Sequence, residues 1–183
     1  MKIVIEGYST ILESVSLEDA QLICELRNQP HINQYLSSTE PLTLESQRAW
    51  QTVNGNKTDG LYLKIIDKKT NNFCGTISIY QISDEGCGEF GRYICTKALQ
   101  AIEAELLLIK LAFEIMRLRL VYCRTAELNI KVWKQHYEYG FEDDGFEVLK
   151  DNGLNLKKQI LTLDKYKSFN YSKIETVIKR MSK

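Results

Sequence analysis

The sequence carries no excess of charge of either sign, since 24 Lys and Arg residues balance 24 Asp and Glu residues. Proteins that bind the phosphate backbone of nucleic acids usually have a basic excess, so we expect no nucleic-acid partner. An anionic ligand would have to be held by a local arrangement, such as the backbone N–H groups at the start of a helix.

Long apolar runs are also absent. A membrane-spanning helix needs about 20 consecutive apolar residues, and the most apolar stretch, residues 104–116, is interrupted by Glu105, Lys110 and Glu114. The first ten residues lack the apolar core of a secretion signal. We therefore expect a cytoplasmic protein with no membrane partner. The basic end of the chain around Lys179 leaves a helix on the membrane surface as an alternative.

The cysteines form no pattern, because their number, five, is odd and no two are spaced as Cys-x-x-Cys. Neither a disulfide framework nor a zinc site is predicted, and no other metal site is expected. Reduced thiols fit a reducing compartment. With only two prolines, no repeat and no linker, the chain is expected to form a single domain, residues 1–183.

What the sequence does contain is a regular succession of helix and strand signals. Helices are predicted where apolar residues recur every three or four positions, and strands where they alternate. In chain order the predictions are a first strand, helices at 16–28 and 43–53, a meander of strands at 61–67, 73–82 and 88–95, a helix at 99–116, a strand at 120–126, a helix at 129–139, strands at 146–149 and 154–163, and a helix at 172–181. The strand–helix–strand step through 88–126 implies two neighbouring parallel strands joined by a crossover helix.

Three connections between these elements are predicted from their composition. The polar stretch at 37–39 is expected to be a loop, and residues 54–56, Asn-Gly-Asn, are expected to end the second helix. Residues 151–153, Asp-Asn-Gly, lie between two apolar runs, which is a strong signal for the turn of a hairpin.

One helix in the C-terminal half carries a recognisable spacing. Asn129 is followed by Val132, His136, Gly140 and Phe141. This resembles the pattern Asn-x-x-small-x-x-apolar-Tyr-x-x-x-Gly-Phe that often ends the fourth core helix of the GNAT N-acetyltransferases. The preceding run, LVYCRTAELN, looks like the fifth strand of that family.

The third strand of the meander adds to the resemblance, since the run EFGRYI at 89–94 is similar to Glu-x-Gly-x-x-Ile on the family's fourth strand. The order of elements resembles the GNAT fold over nearly the whole chain. The resemblance implies an α/β (α+β) fold, with a mixed, mostly antiparallel, twisted sheet flanked by helices. Residues 167–183 would be an appended C-terminal helix that covers a sheet edge or contacts a second copy in a homodimer.

The resemblance also implies acetyl-CoA as cosubstrate and a primary amine as acceptor. Residues 26–28, Leu-Arg-Asn, the run EPLTLE at 40–45 and Trp50 look like the acetyltransferases that modify nucleotide-linked amino sugars, such as a pseudaminic acid precursor. Ribosomal-protein N-terminal acetyltransferases belong to the broader group. The implied acceptor is an amino sugar, and a protein N-terminus is the alternative.

Three residues fall beside the implied acceptor cleft and are candidate substrate-binding residues. Arg27 could bind a phosphate through two hydrogen bonds, with His31 and Glu40 close by in the sequence. The alternatives are an ion pair at the helix end for Arg27 and Glu40, and an ordinary polar loop position for His31.

The implied coenzyme site follows the strand at 88–95. Backbone groups there would pair with pantetheine, and the N–H groups at the start of the next helix would hold the pyrophosphate. The residues implied in this role are Ile94, Cys95, Thr96, Lys97, Leu99, Gln100, Ala101 and, on the thiol side, Asn129. Thr96 and Leu99 stand where the family's loop usually has Arg or Gln and Gly. A domain that has lost catalysis and acts as a binding or scaffold module is therefore a further alternative.

Acetyl transfer requires a neutral amine, donors for the carbonyl oxygen, and a proton for the departing thiolate. His136 stands where the family usually has the tyrosine that protonates this thiolate, and Tyr137 is the neighbouring candidate. Glu89 could accept the proton of the amine, directly or through water; the alternatives are a strand carboxylate that faces solvent or one that pairs with Arg92. We predict that His136→Ala and Glu89→Gln each slow turnover without unfolding the protein.

Overall fold

The computed structural model describes residues 3–36, 38, 40–55, 59–150 and 153–183. Its strands are β1 (Val4–Glu6), β2 (Thr10–Ser14), β3 (Leu61–Asp67), β4 (Asn72–Tyr80), β5 (Cys87–Cys95), β6 (Leu120–Ala126), β7 (Glu142–Val148) and β8 (Asn155–Thr162). Its helices are α1 (Ala20–Arg27), α2 (Pro30–Asn33), α3 (Leu44–Gly55), α4 (Ala98–Lys110), α5 (Ile130–Tyr137), α6 (Leu163–Ser168) and α7 (Ser172–Met181). A 3-10 turn at Leu17–Asp19 precedes α1, and a π-helical stretch at Leu111–Ile115 continues α4.

The strands form one sheet in the order β1-β2-β3-β4-β5-β6-β8-β7. Every neighbouring pair is antiparallel except β5 and β6, which are parallel and are joined by the crossover through α4. The predicted mixed, mostly antiparallel sheet flanked by helices is confirmed. The β7–β8 hairpin is present, with Val148 opposite Asn155. Residues 37, 39, 56, 151 and 152 of the predicted connections lie outside the described residues.

The two faces of the sheet carry different helices, as the alternation along β3 demonstrates. Tyr62 contacts Trp50 of α3, and Lys64 pairs with Asp19 just before α1. The residues between and beyond them, Leu63 and Ile65, belong to the buried core, which also includes residues of α4. Because successive side chains of a strand point to opposite faces, α1 and α3 cover one face and α4 covers the other.

Four features differ from the sequence predictions. The single first strand is a hairpin, β1–β2, whose turn is held by the Glu103 carboxylate through the N–H groups of Tyr8 and Ser9. A short helix, α2, starts at Pro30, where proline is favoured because the first helical N–H needs no partner. Strand β7 begins four residues earlier than predicted, with a bulge before Phe146.

The fourth difference is α6, which follows β8 directly. Thr162 caps it by accepting a hydrogen bond from the N–H of Lys165. The predicted C-terminal helix is present as α7, and it packs on α4 by burying Ile178, while its Glu175 pairs with Lys110.

Candidate active site

The sheet opens between β5 and β6. The two parallel strands pair through Phe90 and Cys123 and then separate. Beyond that point β5 continues to Cys95 beside β4 only, and β6 continues to Ala126 beside β8 only. In the described part of the chain, the backbone groups of residues 91–95 that face β6 therefore have no partner strand. Such a gap is a cleft where an extended ligand can bond to the backbone as a strand would.

A bulge in β5 shapes the wall of this cleft. Arg92 has a positive φ of 48°, and the β4–β5 register shifts between Thr76 and Ser78. Bulges bend a strand and redirect its side chains. Here the Arg92 guanidinium lies over the Trp50 ring of α3, whereas the hydroxyl of the next residue, Tyr93, donates to the carbonyl of Ala101 in α4. Consecutive residues of the wall thus reach opposite faces of the sheet.

The start of α4 lies at the end of this wall. The N–H of Ala101 bonds to the carbonyl of Lys97, so the N–H groups just before it have no helical acceptor, and Lys97 provides no side-chain cap. The Lys97 ammonium forms an ion pair with the Asp67 carboxylate at 2.7 Å. Leu99, which replaces the family's usual glycine, packs against the core. The free N–H groups and the positive end of the helix dipole fit a diphosphate.

The other implied coenzyme residues contribute mainly backbone. Ile94 and Cys95 are half-buried in the cleft wall, and Gln100 is buried. Burial raises the pKa of the Cys95 thiol to about 12. Since the thiolate is the nucleophilic form, Cys95 is not an activated nucleophile. The Thr96 hydroxyl donates to the Cys74 carbonyl at 3.1 Å and holds the loop to β4.

Glu89 lies where the cleft begins, and its carboxylate is fully engaged. The Tyr80 hydroxyl donates to it at 2.7 Å, and Arg124 of β6 donates from Nε at 3.1 Å and from Nη2 at 2.8 Å. Glu89 is only 3% exposed. Neither alternative given for Glu89 holds, because the carboxylate is not in solvent and Arg92 stacks on the rings of Tyr80 and Trp50 instead of pairing with it. A carboxylate held by two guanidinium bonds is a poor free base.

His136 is in the core beneath the cleft, with 1% exposure. Its Nδ1 lies 3.0 Å from the amide oxygen of Gln159 and 3.2 Å from the Cys123 sulfur, and the Phe90 ring meets it edge-on. The amide oxygen can only accept, so Nδ1 carries the proton. Its Nε2 has no hydrogen-bond partner in the described chain and lies 3.9 Å from Glu105.

The protonation states of this buried pair follow from desolvation. Burial lowers the pKa of His136 to about 4 and raises the pKa of Glu105 to about 8, so both groups are neutral near pH 7. A neutral imidazole enclosed in the core is poorly suited to donate a proton to a thiolate. This placement argues against the predicted acid role of His136.

Glu105 is a residue whose place the sequence analysis missed. Its carboxyl accepts from the Gln135 amide of α5 at 2.6 Å, and the same amide reaches the Tyr93 hydroxyl at 3.3 Å. The group therefore ties α4, α5 and the cleft wall together. A signal was available, since Glu105 follows Ile102 by three residues and precedes Ile109 by four. This spacing puts it on the apolar face of the helix.

The remaining candidates on α5 lie away from this pair. Tyr137 is 37% exposed, and its hydroxyl donates to Asp143 at 2.6 Å, a bond that raises its pKa. Asn129 precedes the first residue of α5, but its side chain makes no capping hydrogen bond. The structure does not bring Tyr137 together with Glu89 or with His136.

The predicted acceptor residues lie around the end of α1. Arg27 is half-buried, and its Nε is buried without a hydrogen-bond partner. His31 is exposed on α2, and Glu40 is exposed in the segment before α3. That segment is tied to α1 because the Asn28 side chain both donates to and accepts from the backbone of Leu42, at 2.9 and 2.8 Å.

An open recess of about 490 Å³ lies on the face of β6, β7 and β8 that carries Arg124. Its lining mixes both charges with apolar groups: Gln81, Leu120, Tyr122, Arg124, Asp144, Glu147, Lys158 and Ile160. Among the described residues no helix is long and apolar enough to cross a membrane, and no cluster of three or more His, Cys, Asp or Glu side chains could hold a metal ion.

Comparisons with known proteins show which family and which solved structures this chain resembles. The model of the acetyltransferase (GNAT) domain matches residues 10–142. No curated protein matches the sequence. A GCN5-related N-acetyltransferase from Brucella melitensis has a TM-score of 0.78 at 17% identity, covering 100% of this chain and 86% of its own. Spermidine N-acetyltransferase from Vibrio cholerae, solved with CoA and spermine, has a TM-score of 0.77 at 18% identity over 88% and 100%. FdhC, a nucleotide-linked sugar GNAT, has a TM-score of 0.74 at 23% identity over 97% and 98%.

Proposed function

Because the chain belongs to the GNAT acetyltransferase family, whose members use acetyl-CoA, we propose that it acetylates the primary amine of a nucleotide-linked amino sugar. The observation that carries the proposal is the end of the β5–β6 ladder after Phe90 and Cys123. It leaves the backbone of residues 91–95 free to hold an extended thioester beside the start of α4. The solved sugar GNAT of the same fold supports the choice of acceptor.

Different backbone groups of the cleft would assist different parts of the acetyl transfer. The amine nitrogen forms a bond to the carbonyl carbon, the carbon–sulfur bond breaks, and one proton leaves the nitrogen. Backbone N–H groups of residues 91–95 are available to bond the carbonyl oxygen as its negative charge grows. The N–H groups before Ala101 would hold the diphosphate of the coenzyme.

Glu89 does not act as the base in the proposed reaction. Its carboxylate already accepts three hydrogen bonds from Tyr80 and Arg124, so we propose that it positions neighbouring groups and contributes negative charge rather than removing a proton directly. The proton of the amine would leave through water. The departing thiol has an ordinary pKa of about 8.5, so it does not require a strong acid, and the buried His136 keeps the cleft wall in place.

The first experiment is calorimetric titration of the protein with acetyl-CoA, followed by an acceptor screen that detects free thiol. We expect micromolar binding and turnover with a nucleotide-linked amino sugar. Turnover only with peptides that begin like ribosomal proteins would move the acceptor to a protein N-terminus. No binding at millimolar acetyl-CoA would mean that the domain is a scaffold module and would overturn the proposal. The five cysteines, all free thiols, support a cytoplasmic setting.

A further inference from the structure

Arg92 has an unusual environment for a charged residue. Its guanidinium carbon lies 3.8 Å from the centroid of the Tyr80 ring and 4.8 Å from that of the Trp50 ring. Among the side chains that the structure describes, its one polar contact is a long bond, 3.4 Å, to the Ser78 hydroxyl. In the described chain no carboxylate is within ion-pair distance of it. The two rings hold the guanidinium in one orientation, and the negative charge of Glu89 acts on it without a direct ion pair.

Arg27 is uncompensated in the same region. Its Nε is buried with no hydrogen-bond partner, and among the described residues it too has no ion pair. The charges of Arg27 and Arg92 both act on the Tyr62 hydroxyl, where each opposes the rise in pKa that burial causes. Geometry places them there too: Arg92 lies over the Trp50 ring, which meets the Tyr62 ring edge-on at 5.4 Å. Arg27 is in the last turn of α1, which packs against α3 on the same face of the sheet.

The carboxylates of this face are already occupied. Asp19 pairs with Lys64 at 2.9 Å, and Glu89 pairs with Arg124 at 2.8 Å. The buried Nε of Arg27 is costly to leave without a partner, and the like charges of Arg27 and Arg92 repel each other. In a chain with no net charge, two neighbouring unpaired guanidinium groups indicate that an anion completes the site.

We propose that Arg27 and Arg92 bind an anionic group, a phosphate or a carboxylate, that the acceptor carries in addition to its amine. The inference rests on the proposed function. Arg92 projects from the wall of the cleft, at 91–95, to the face opposite α4, so an acceptor held there would have its amine near the thioester. Guanidinium groups bond both anions through paired N–H donors. A polyamine, which has only positive charges, would be repelled.

The test uses three sugars that share one amine. Glucosamine has no anion, glucosamine 6-phosphate adds a phosphate, and muramic acid adds a carboxylate. UDP-glucosamine extends the set to a nucleotide. Each sugar is titrated by calorimetry into protein saturated with CoA, so that the diphosphate site at α4 is already filled. We expect at least one anionic sugar to bind about 10- to 100-fold more tightly than glucosamine, the range for charged hydrogen bonds.

Variants test whether Arg27 and Arg92, and not the overall charge of the protein, cause the preference for anionic sugars. Arg27→Met and Arg92→Met should each remove most of this preference while leaving the Kd for CoA unchanged. Arg92→Lys retains the charge without the planar group and should retain part of the preference for anionic sugars. Arg48→Met is the matched control, because Arg48 is exposed on α3 two residues from Trp50 and thus points away from it. Circular dichroism confirms that each variant folds.

The outcomes distinguish the two proposals. A preference for the phosphate or the carboxylate sugar supports the anion site and tells which group it takes. Equal affinity for glucosamine and for all the anionic sugars overturns it, as does a preference that Arg92→Met leaves intact. If CoA itself does not bind, the proposed function fails, and the same titrations on the protein alone still decide the anion site.

Discussion

Replacing Glu105 by glutamine should stabilise the protein, and by an amount that grows with pH. Glu105 is fully buried, and desolvation raises its pKa from 4.5 to about 8. Between these values the unfolded chain has lost the proton and the folded chain retains it. The unfolded state therefore binds fewer protons, and stability falls as pH rises through this window. Below pH 4.5 the carboxyl is neutral in both states and has no such cost.

The magnitude follows from 1.36 kcal/mol per pKa unit. At pH 6 the wild type is about 2 kcal/mol less stable than it would be with a permanently neutral group, and at pH 8 about 4 kcal/mol less stable. Glutamine is neutral at every pH and has the same shape. Its oxygen can accept from Gln135 as Glu105 does, and its amide can donate toward His136.

The assay is urea unfolding of wild type and Glu105→Gln from pH 6 to pH 8.5. His136, whose pKa is lowered to about 4 by burial, stays neutral in the folded state over this range. We expect the midpoint of the variant to exceed that of the wild type by about 1 M at pH 6 and about 2 M at pH 8, for a slope of about 2 kcal/mol/M.

The matched control is Glu45→Gln, at an exposed position in the first turn of α3, which should change stability by less than about 0.5 kcal/mol at every pH. A constant difference between Glu105→Gln and wild type across the range, or a variant less stable at pH 8, would refute a protonated Glu105.

Three further variants test the site. His136→Ala should lower the free energy of unfolding by about 2–4 kcal/mol, since it opens a cavity in the core, and the pH profile of kcat should show no titration of wild-type His136 between pH 6 and 7; a profile that loses such a step in the variant would restore its acid role. Glu89→Gln should lower kcat/KM for the acceptor about 10- to 100-fold while the Kd for acetyl-CoA stays constant, and an unchanged kcat/KM would remove Glu89 from the site. Tyr137→Phe should change kcat by less than about threefold, because the hydroxyl is bound to Asp143 on the surface; a loss of more than 100-fold in single-turnover rate would make Tyr137 the proton donor.

Much of the fold could be predicted from the sequence because its signals are local. The recurrence of apolar residues every three or four positions identified α4, and alternation identified the β3–β4–β5 meander. The crossover between β5 and β6 followed from chain order alone. The strands β1 and β2 have three and five residues, which is too short for alternation to separate them. Their pairing depends on Glu103, which is distant in the sequence.

The candidate site, too, has parts that follow from local sequence and parts that depend on tertiary contacts. The sequence predicted the strand at 88–95 and the helix after it, because the ends of such elements are local, and the family resemblance alone implied a coenzyme site at their junction. Arg92, three residues away, was the only ion-pair partner that the sequence suggested for Glu89, as an alternative to its role as a base, but the parallel pairing of β5 with β6 brings Arg124 to that carboxylate instead. Side chains on neighbouring strands meet according to register, which no local pattern specifies.

By itself the sequence determined most of the helices and strands, their order, and the family to which its spacings pointed, since each of these depends on residues a few positions apart. Only the tertiary structure decided which polar groups are in water and which are enclosed. His136 and Glu105 are neutral because the core surrounds them. Within the described residues, Arg27 and Arg92 form no ion pair, and the nearby carboxylates Asp19 and Glu89 pair with Lys64 and Arg124. Burial and charge pairing depend on contacts between distant residues, and the chemistry of the site follows from them.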